Sequence, residues 1–374
     1  MYKVLVCGLA NEKDQGGIES MVLNYYKRFD TSKIHFDFIC NSDKYKMAYA
    51  DQFENLGSRI FYTPKRGSHP IKYYQGLNKL FLDKHEDYNC LWLNTSDLAN
   101  IAYLKLARKY HIKRIIVHSH NSKLIVLGLK GRIYQKLHEL HRKNIKKYAT
   151  DYWACSKEAA DWMFPKDIKS EIIKNAIDLN STKLDKEKRK GLRGKYNLQD
   201  TYVIGNVGRL NFQKNQEFLI KIANELKKKK INFKIIVVGQ GEEKENLKRL
   251  ITQLNVSNNV MLVGQQNDMQ AWYSAFDLFL FPSRFEGLSV SLLEAQANGV
   301  PILASDRVSP NEIKINDNIK FMSLSEDPKV WAEKILKQFI KSKRENEQKI
   351  NKNFNLKGYN IDMEAPKLAN KFID

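Results

Sequence analysis

Cysteine, proline and glycine are all scarce in this chain of 374 residues, and long apolar runs are missing. The four cysteines (Cys7, Cys40, Cys90, Cys155) lie far apart and never at metal-ligand spacing. That excludes a disulfide scaffold and a structural zinc, and points to a reducing, cytoplasmic setting. With 8 prolines, 18 glycines and 43% hydrophobic residues, the chain is neither disordered nor fibrous. Lysines interrupt every apolar stretch before it could span a bilayer. The apolar run near Tyr2 is short and leads into a turn-and-helix pattern, so it reads as a buried strand rather than a signal peptide. No Asp-x-Asp metal motif follows a strand, and nothing repeats at a solenoid or propeller period.

Lys and Arg number 63 against 42 Asp and Glu, a net charge of +21. Such a surplus suits nucleic acid, an anionic membrane or phosphorylated substrates, and equally a lysine-rich solvated surface. Its distribution is uneven. Residues 98–150 hold thirteen basic residues and one acid, Glu139, whereas residues 1–97 are nearly balanced.

Short apolar runs alternate with amphipathic stretches, first from Tyr2 to about Ala154 and again from Tyr202 to about Ala304. Continuous apolar strands separated by helices predict parallel sheets covered on both faces. The expected fold class is therefore α/β, two Rossmann-like doubly wound parallel-sheet domains facing a central cleft. The boundaries are residues 1–178, 179–350 and a C-terminal segment 351–374 that can return to the first domain.

Ligands of such folds lie beyond the C-terminal strand ends, so those loops hold the candidates. After the first strand, Gly16-Gly17-Ile18-Glu19 opens a helix. Paired glycines allow backbone N–H groups close to an anion, though a tight strand–helix turn asks for the same residues. After the strand at Ile115 come His118, His120 and Asn121. His118 fits a buried, hydrogen-bonded role, and His120 is better placed to reach a cleft. A third metal ligand at sensible spacing is missing. Past Tyr202–Val207, Arg209 and Lys214 leave one loop, as phosphate ligands or as ordinary surface cations. In the stretch 281–306, Glu286 closes a loop, Gly287 permits a turn, and a helix is predicted from about Ser289 to Asn298. The N–H groups around Leu288, Ser289 and Val290 can hold a diphosphate, with Glu294 more than a turn further on.

These residues together resemble the GT-B retaining glycosyltransferases of family four, especially the bacterial capsule and exopolysaccharide type. Glu286 and Glu294, with seven residues between them, match the family's paired-glutamate signature. Gly208-Arg209-Leu210 with Lys214-Asn215, the Gly16-Gly17 loop, the His120 loop, Ala154-Cys155-Ser156 and Ile172-Ile173-Lys174-Asn175 match as well. The similarity spans about residues 1–340. Two positions depart from the pattern: Ala176 replaces a common glycine, and Asn121 stands where aspartate is frequent.

The resemblance implies a hexosyltransferase. Arg209 and Lys214 would bind the donor diphosphate, with Gly16 and Gly17 approaching it. Glu294 would hold the ribose, Glu286 the sugar hydroxyls, and His120 would lie near the reacting carbon. Gly264 and Gln265 would lie near the base, Gly287, Leu288 and Ser289 at the diphosphate, and Glu19 and Asn121 towards the acceptor. No metal or cofactor is expected. The donor is a nucleotide sugar, with UDP the expected nucleotide, and the acceptor a lipid-linked saccharide. The expected location is cytoplasmic, peripheral on the inner face of the cell membrane. A sugar-nucleotide epimerase shares the layout and is the rival enzyme class.

Residues 130–149 predict an amphipathic basic helix. Ile133, Leu137, Leu140 and Ile145 can share its packed face, leaving Lys136, Arg142, Lys143, Lys146 and Lys147 in solvent or on an anionic membrane surface. Nucleic acid is not expected as a partner, because aromatic residues do not interleave with the cations as a stacking platform. No oligomeric state is read from the sequence.

Overall fold

A computed structural model describes residues 1–14, 16–122, 124, 128–286, 288–308 and 310–373. The chain divides into two compact units, Met1–Ala176 with Ile361–Asp374, and Ile177–Asn360. The division thus falls at 176 and 360, where the sequence suggested 178 and 350. Helix Glu347–Leu356, which the sequence boundary at 350 would divide, belongs wholly to the second unit, where Ile350 and Phe354 are buried.

The first unit carries a seven-stranded parallel sheet. Its strands are β1 (Tyr2–Leu9), β2 (Ile34–Asn41), β3 (Ile60–Thr63), β4 (Cys90–Thr95), β5 (Arg114–Ser119), β6 (Asp151–Ala154) and β7 (Glu171–Ile172), in the order β3-β2-β1-β4-β5-β6-β7. The second carries a six-stranded parallel sheet of β8 (Tyr202–Val207), β9 (Phe233–Val238), β10 (Val260–Gly264), β11 (Leu278–Phe281), β12 (Ile302–Ser305) and β13 (Ile319–Met322), in the order β10-β9-β8-β11-β12-β13. Each unit therefore has the doubly wound order, reversing direction between β1 and β4 and between β8 and β11. The central strands read as apolar runs because helices cover both faces. Val4, Val6, Ile204, Leu278 and Leu280 are fully buried.

Crossovers from β1 to β2 and β2 to β3 run one way along the first sheet, and those from β3 through β6 run the other way. Right-handed connections then place helices Pro70–Lys84, Ala102–Lys109 and Gly128–Lys143 on one face. Helix Gly17–Tyr26 lies on the opposite face. The final helix, Ile361–Ile373, joins it there. Ile361, Ala365, Leu368 and Phe372 form its buried stripe at helical spacing. The Phe372 ring meets Trp92 and Trp153 edge-on, each with centroids 5.2 Å apart. This buried stripe thus completes the core built on β1.

The basic helix differs from its sequence reading. It spans Gly128–Lys143 and ends in a short turn at Ile145–Lys147. Its packed face is built on Gly131 and His138, with Ile145 buried beyond the helix, while Ile133 and Leu140 face solvent. His138 decides the rotation. Its Nδ1 accepts the Leu98 N–H at 3.0 Å, and its ring stacks on Trp162 with centroids 4.1 Å apart. Arg142, expected in solvent, donates to the Phe164 carbonyl at 2.7 Å.

Candidate active site

In the second unit the loops after β8 and β11 run side by side at the point where strand order reverses. Polar side chains tie them together. Asn215, held at φ 57°, donates through Nδ2 to the Pro282 carbonyl at 3.0 Å. Gln213 Nε2 donates to the Phe285 carbonyl at 3.0 Å and to Glu286 Oε2 at 3.2 Å. The Gln213 carbonyl accepts the Arg284 N–H at 2.8 Å. These bonds bring Lys214 Nζ to 2.8 Å from Glu286 Oε1. The same ammonium lies 4.7 Å from the centre of the Phe281 ring.

Both members of this pair are largely buried, with side chains 16% and 7% exposed. Removing either would leave a charge poorly solvated, a change that costs about 3–5 kcal/mol in comparable sites. An ammonium has three donors, so Lys214 can keep Glu286 and still reach an anion.

Helix Val290–Asn298 begins directly after this loop. Ser289 Oγ pairs with Ser291 Oγ at 3.1 Å instead of capping the helix N–H groups. Leu288 and Ser289 are buried beside the helix start, and Gly287 lies outside the described residues. Glu294, one turn in, accepts the Tyr273 hydroxyl through Oε2 at 2.8 Å. Burial pushes the Glu294 carboxyl up to about 7, while the Tyr273 bond pulls the other way. Burial and the adjacent Glu294 raise Tyr273 well above the usual phenol range, so it remains a donor.

Arg209 is partly exposed beyond β8, and its carbonyl accepts Gln216 Nε2 at 3.0 Å. The ends of β8, β9 and β10 are stitched together. Gly208 N–H donates to Val238, and Gly239 N–H donates to Gly264, at 3.0 and 2.9 Å. A Cβ on Gly239 would meet the Gly208 carbonyl oxygen at 2.0 Å, so this approach requires glycine. Gln265, next to Gly264, accepts Gln240 Nε2 at 2.7 Å.

In the first unit, His120 follows β5 and Asn94 lies on the neighbouring strand β4. His120 Nε2 is 2.8 Å from Asn94 Oδ1. Burial holds His120 down to about 3, so the ring is neutral at physiological pH. His118 is fully buried beneath it, with ring centroids 4.1 Å apart, and burial holds it well below the ordinary histidine range. Asn121 is buried, and its Oδ1 accepts the Ser122 N–H at 2.9 Å. The Asn94 backbone packs on Gly8, where a Cβ would lie 1.8 Å from the Asn94 carbonyl oxygen.

Gly16 and Gly17 begin the first helix. Glu19 does not face outward. Its two oxygens accept the N–H groups of Ala10 at 2.7 Å and Gly16 at 2.8 Å, and it is only 3% exposed. Its carboxylate thus fixes the loop after β1, a physical use different from the acceptor contact expected of it.

The structure therefore gathers Arg209, Lys214, Gly264, Gln265, Glu286, Leu288, Ser289 and Glu294 at one sheet edge. Gly16, Gly17, His120 and Asn121 lie at the corresponding edge of the first unit. Sequence reasoning missed Gln213, Tyr273, Asn94 and Gly8. Only Gly8 left a signal, a glycine inside an otherwise apolar strand.

Residues 188–355 match the family model described as glycosyl transferases group 1. The putative glycosyltransferase EpsF of Bacillus subtilis is 30% identical, with 86% of this chain and 84% of that protein covered. The Escherichia coli UDP-Gal:alpha-D-GlcNAc-diphosphoundecaprenol alpha-1,3-galactosyltransferase is 29% identical, covering 73% and 78%. Among solved structures, Anabaena Alr3699/HepE in complex with UDP and glucose superposes with a TM-score of 0.79. It is 17% identical and each chain is covered completely.

Proposed function

The chain belongs to the group 1 glycosyl transferases, and on that premise we propose that it moves a hexose or N-acetylhexosamine from a UDP-sugar to a lipid-linked saccharide in bacterial surface-polysaccharide synthesis. Anomeric configuration is retained. The UDP complex of the Anabaena protein and the diphosphoundecaprenol acceptor named for the Escherichia coli relative support these substrate classes. The enzyme works at the inner face of the cell membrane, as a peripheral protein.

The observation that carries the reading is the Lys214–Glu286 pair held between two loops beside a helix start. Lys214 and Arg209 supply positive charge where the leaving diphosphate gains negative charge, and the first N–H groups of helix Val290–Asn298 add to it. This chemistry supplies the neutralisation that a divalent metal provides elsewhere, so transfer is metal-independent. Glu286 accepts sugar hydroxyls, and Glu294 accepts ribose hydroxyls when ionised. The bond from the anomeric carbon to the diphosphate breaks as the acceptor oxygen bonds that carbon from the same face. The acceptor's proton passes to the departing phosphate oxygen. His120, held neutral, hydrogen-bonds the sugar without adding charge.

A donor screen read by nucleoside-diphosphate release, with membrane extract as acceptor and EDTA present, tests this. Release that requires extract and survives EDTA supports it. Conversion of the sugar nucleotide without any acceptor would instead identify an epimerase.

A further inference from the structure

The outward layer of the first unit combines two properties rarely found together on a solvated surface. Helices Pro70–Lys84 and Ala102–Lys109, with residues 128–147, hold thirteen Lys or Arg and only two acids, Asp83 and Glu139. On helix Gly128–Lys143, Leu129, Ile133 and Leu140 are 79%, 59% and 56% exposed. Their spacing of four and seven residues stacks them in one ridge, directly opposite Gly131 and His138. Arg132, Lys136 and Lys143 flank that ridge along one side at the same helical spacing. On helix Pro70–Lys84, Ile71, Tyr74 and Leu82 are exposed as well, while Tyr73, Leu77 and Phe81 are buried.

The two helices lie on one sheet face, with helix Ala102–Lys109 packed on the first. Arg66, just before the first, donates to the Tyr134 hydroxyl at 3.1 Å on the second. A groove of about 420 Å³ beside Tyr74 is lined by Asn78, Lys105 and Leu106. Apolar side chains and cations thus alternate across the layer.

We propose that this helical layer docks the enzyme on an anionic lipid bilayer, with Leu129, Ile133 and Leu140 inserted among the acyl chains and Ile71, Tyr74 and Leu82 in the headgroup region. A purely solvated basic helix would carry its cations outward and its apolar residues inward; here the ridge pointing outward is apolar. Flanking cations at the level of an inserted ridge match lipid phosphates, the arrangement of helices lying in a membrane interface. A second copy docked layer to layer would set these cations against one another, with only Asp83 and Glu139 to meet them. The proposal deepens, and rests on, the peripheral location proposed above, but the surface can be tested without sugar transfer.

The full chain is sedimented with vesicles of phosphatidylcholine, with and without one third phosphatidylglycerol. Wild type is expected to bind the anionic vesicles at least tenfold better, with binding reduced by salt. The triple variant Leu129→Ser, Ile133→Ser, Leu140→Ser alters only exposed side chains and is expected to lose binding at least tenfold. Its thermal stability and acceptor-independent donor hydrolysis are expected to stay unchanged. Ile133→Trp is expected to show a blue-shifted emission on anionic vesicles. Equal binding to both vesicles, unchanged binding by the triple variant, or an unshifted tryptophan would overturn the proposal. So would light scattering that shows a wild-type dimer dissociated by the triple variant, which would make the ridge a contact between copies. Vesicle binding by a chain that transfers no sugar would remove the proposed function and leave the docking surface standing.

Discussion

Replacing Glu294 by glutamine separates the cost of this carboxylate from its use. In the folded chain Glu294 titrates near 7, above its ordinary 4.5, because burial disfavours the charged form. The unfolded chain therefore loses this proton at lower pH than the folded one. Stability contributed at this position is full below about 4.5 and is lost as pH rises towards 7. Holding the ion in place above that range costs on the order of 3 kcal/mol at about 1.4 kcal/mol per tenfold change in affinity for the proton. Glu294 keeps some contact with solvent, so that figure is a ceiling. Glutamine keeps the oxygen that accepts the Tyr273 hydroxyl and carries no charge. Glu294→Gln is thus expected to be more stable than wild type at pH 8, by about 1–3 kcal/mol or several degrees in Tm. At pH 4.5 the two are expected to match. Donor KM moves in the opposite sense. It rises about tenfold or more in the variant at pH 8, because one acceptor oxygen replaces two. In wild type it rises as pH falls through 7. Thermal melts at both pH values and donor titrations check this. A variant less stable than wild type at pH 8, or a difference independent of pH, would refute the assignment of a desolvated carboxylate.

Phe372→Ala is expected to cost about 3–5 kcal/mol in the first unit, because the ring sits between Trp92 and Trp153. A urea melt followed by tryptophan fluorescence measures it. Glu19→Ala removes the charged acceptor of the Ala10 and Gly16 N–H groups, and a hydrogen bond to a charged group is worth about 1.5–3 kcal/mol. Faster amide exchange at those two positions is the expected readout. His120 titrates near 3, so the pH–rate profile of wild type is expected to show no limb from this histidine between pH 5 and 8. His120→Asn, assayed over that range, is expected to change the rate and not the shape of the profile.

Much of this architecture is legible from residue order, for reasons that particular elements make plain. β1, β4, β8 and β11 appear as apolar runs because both faces of each are covered. β7 escapes notice because Glu171 and Ile172 are both exposed edge residues, and β13 because only part of it is buried. The paired glutamates and Lys214 are visible as spacing, but their ion pair is not, since Gln213 and Asn215 set it through contacts with residues about seventy positions away. Asn94 and Tyr273 carry no local pattern, and their roles arise from strand adjacency and packing alone. The basic helix shows the limit of periodicity most clearly. Its leucines and isoleucines suggest a packed face, yet the small Gly131 and the hydrogen-bonded, stacked His138 give a closer fit to the sheet and turn the apolar ridge outward.

Lys214, held by Glu286, is proposed to neutralise the departing diphosphate. The measurement that tests it most directly is the transfer rate of Lys214→Ala beside the double variant Lys214→Ala, Glu286→Gln, with the preferred donor at saturation. The double variant removes the uncompensated carboxylate and is expected to keep the wild-type melting temperature within a few degrees. Both variants are predicted to transfer sugar about 10²–10³-fold more slowly, the loss typical of removing one group that stabilises developing negative charge. Transfer within threefold of wild type in a folded double variant would contradict the claim.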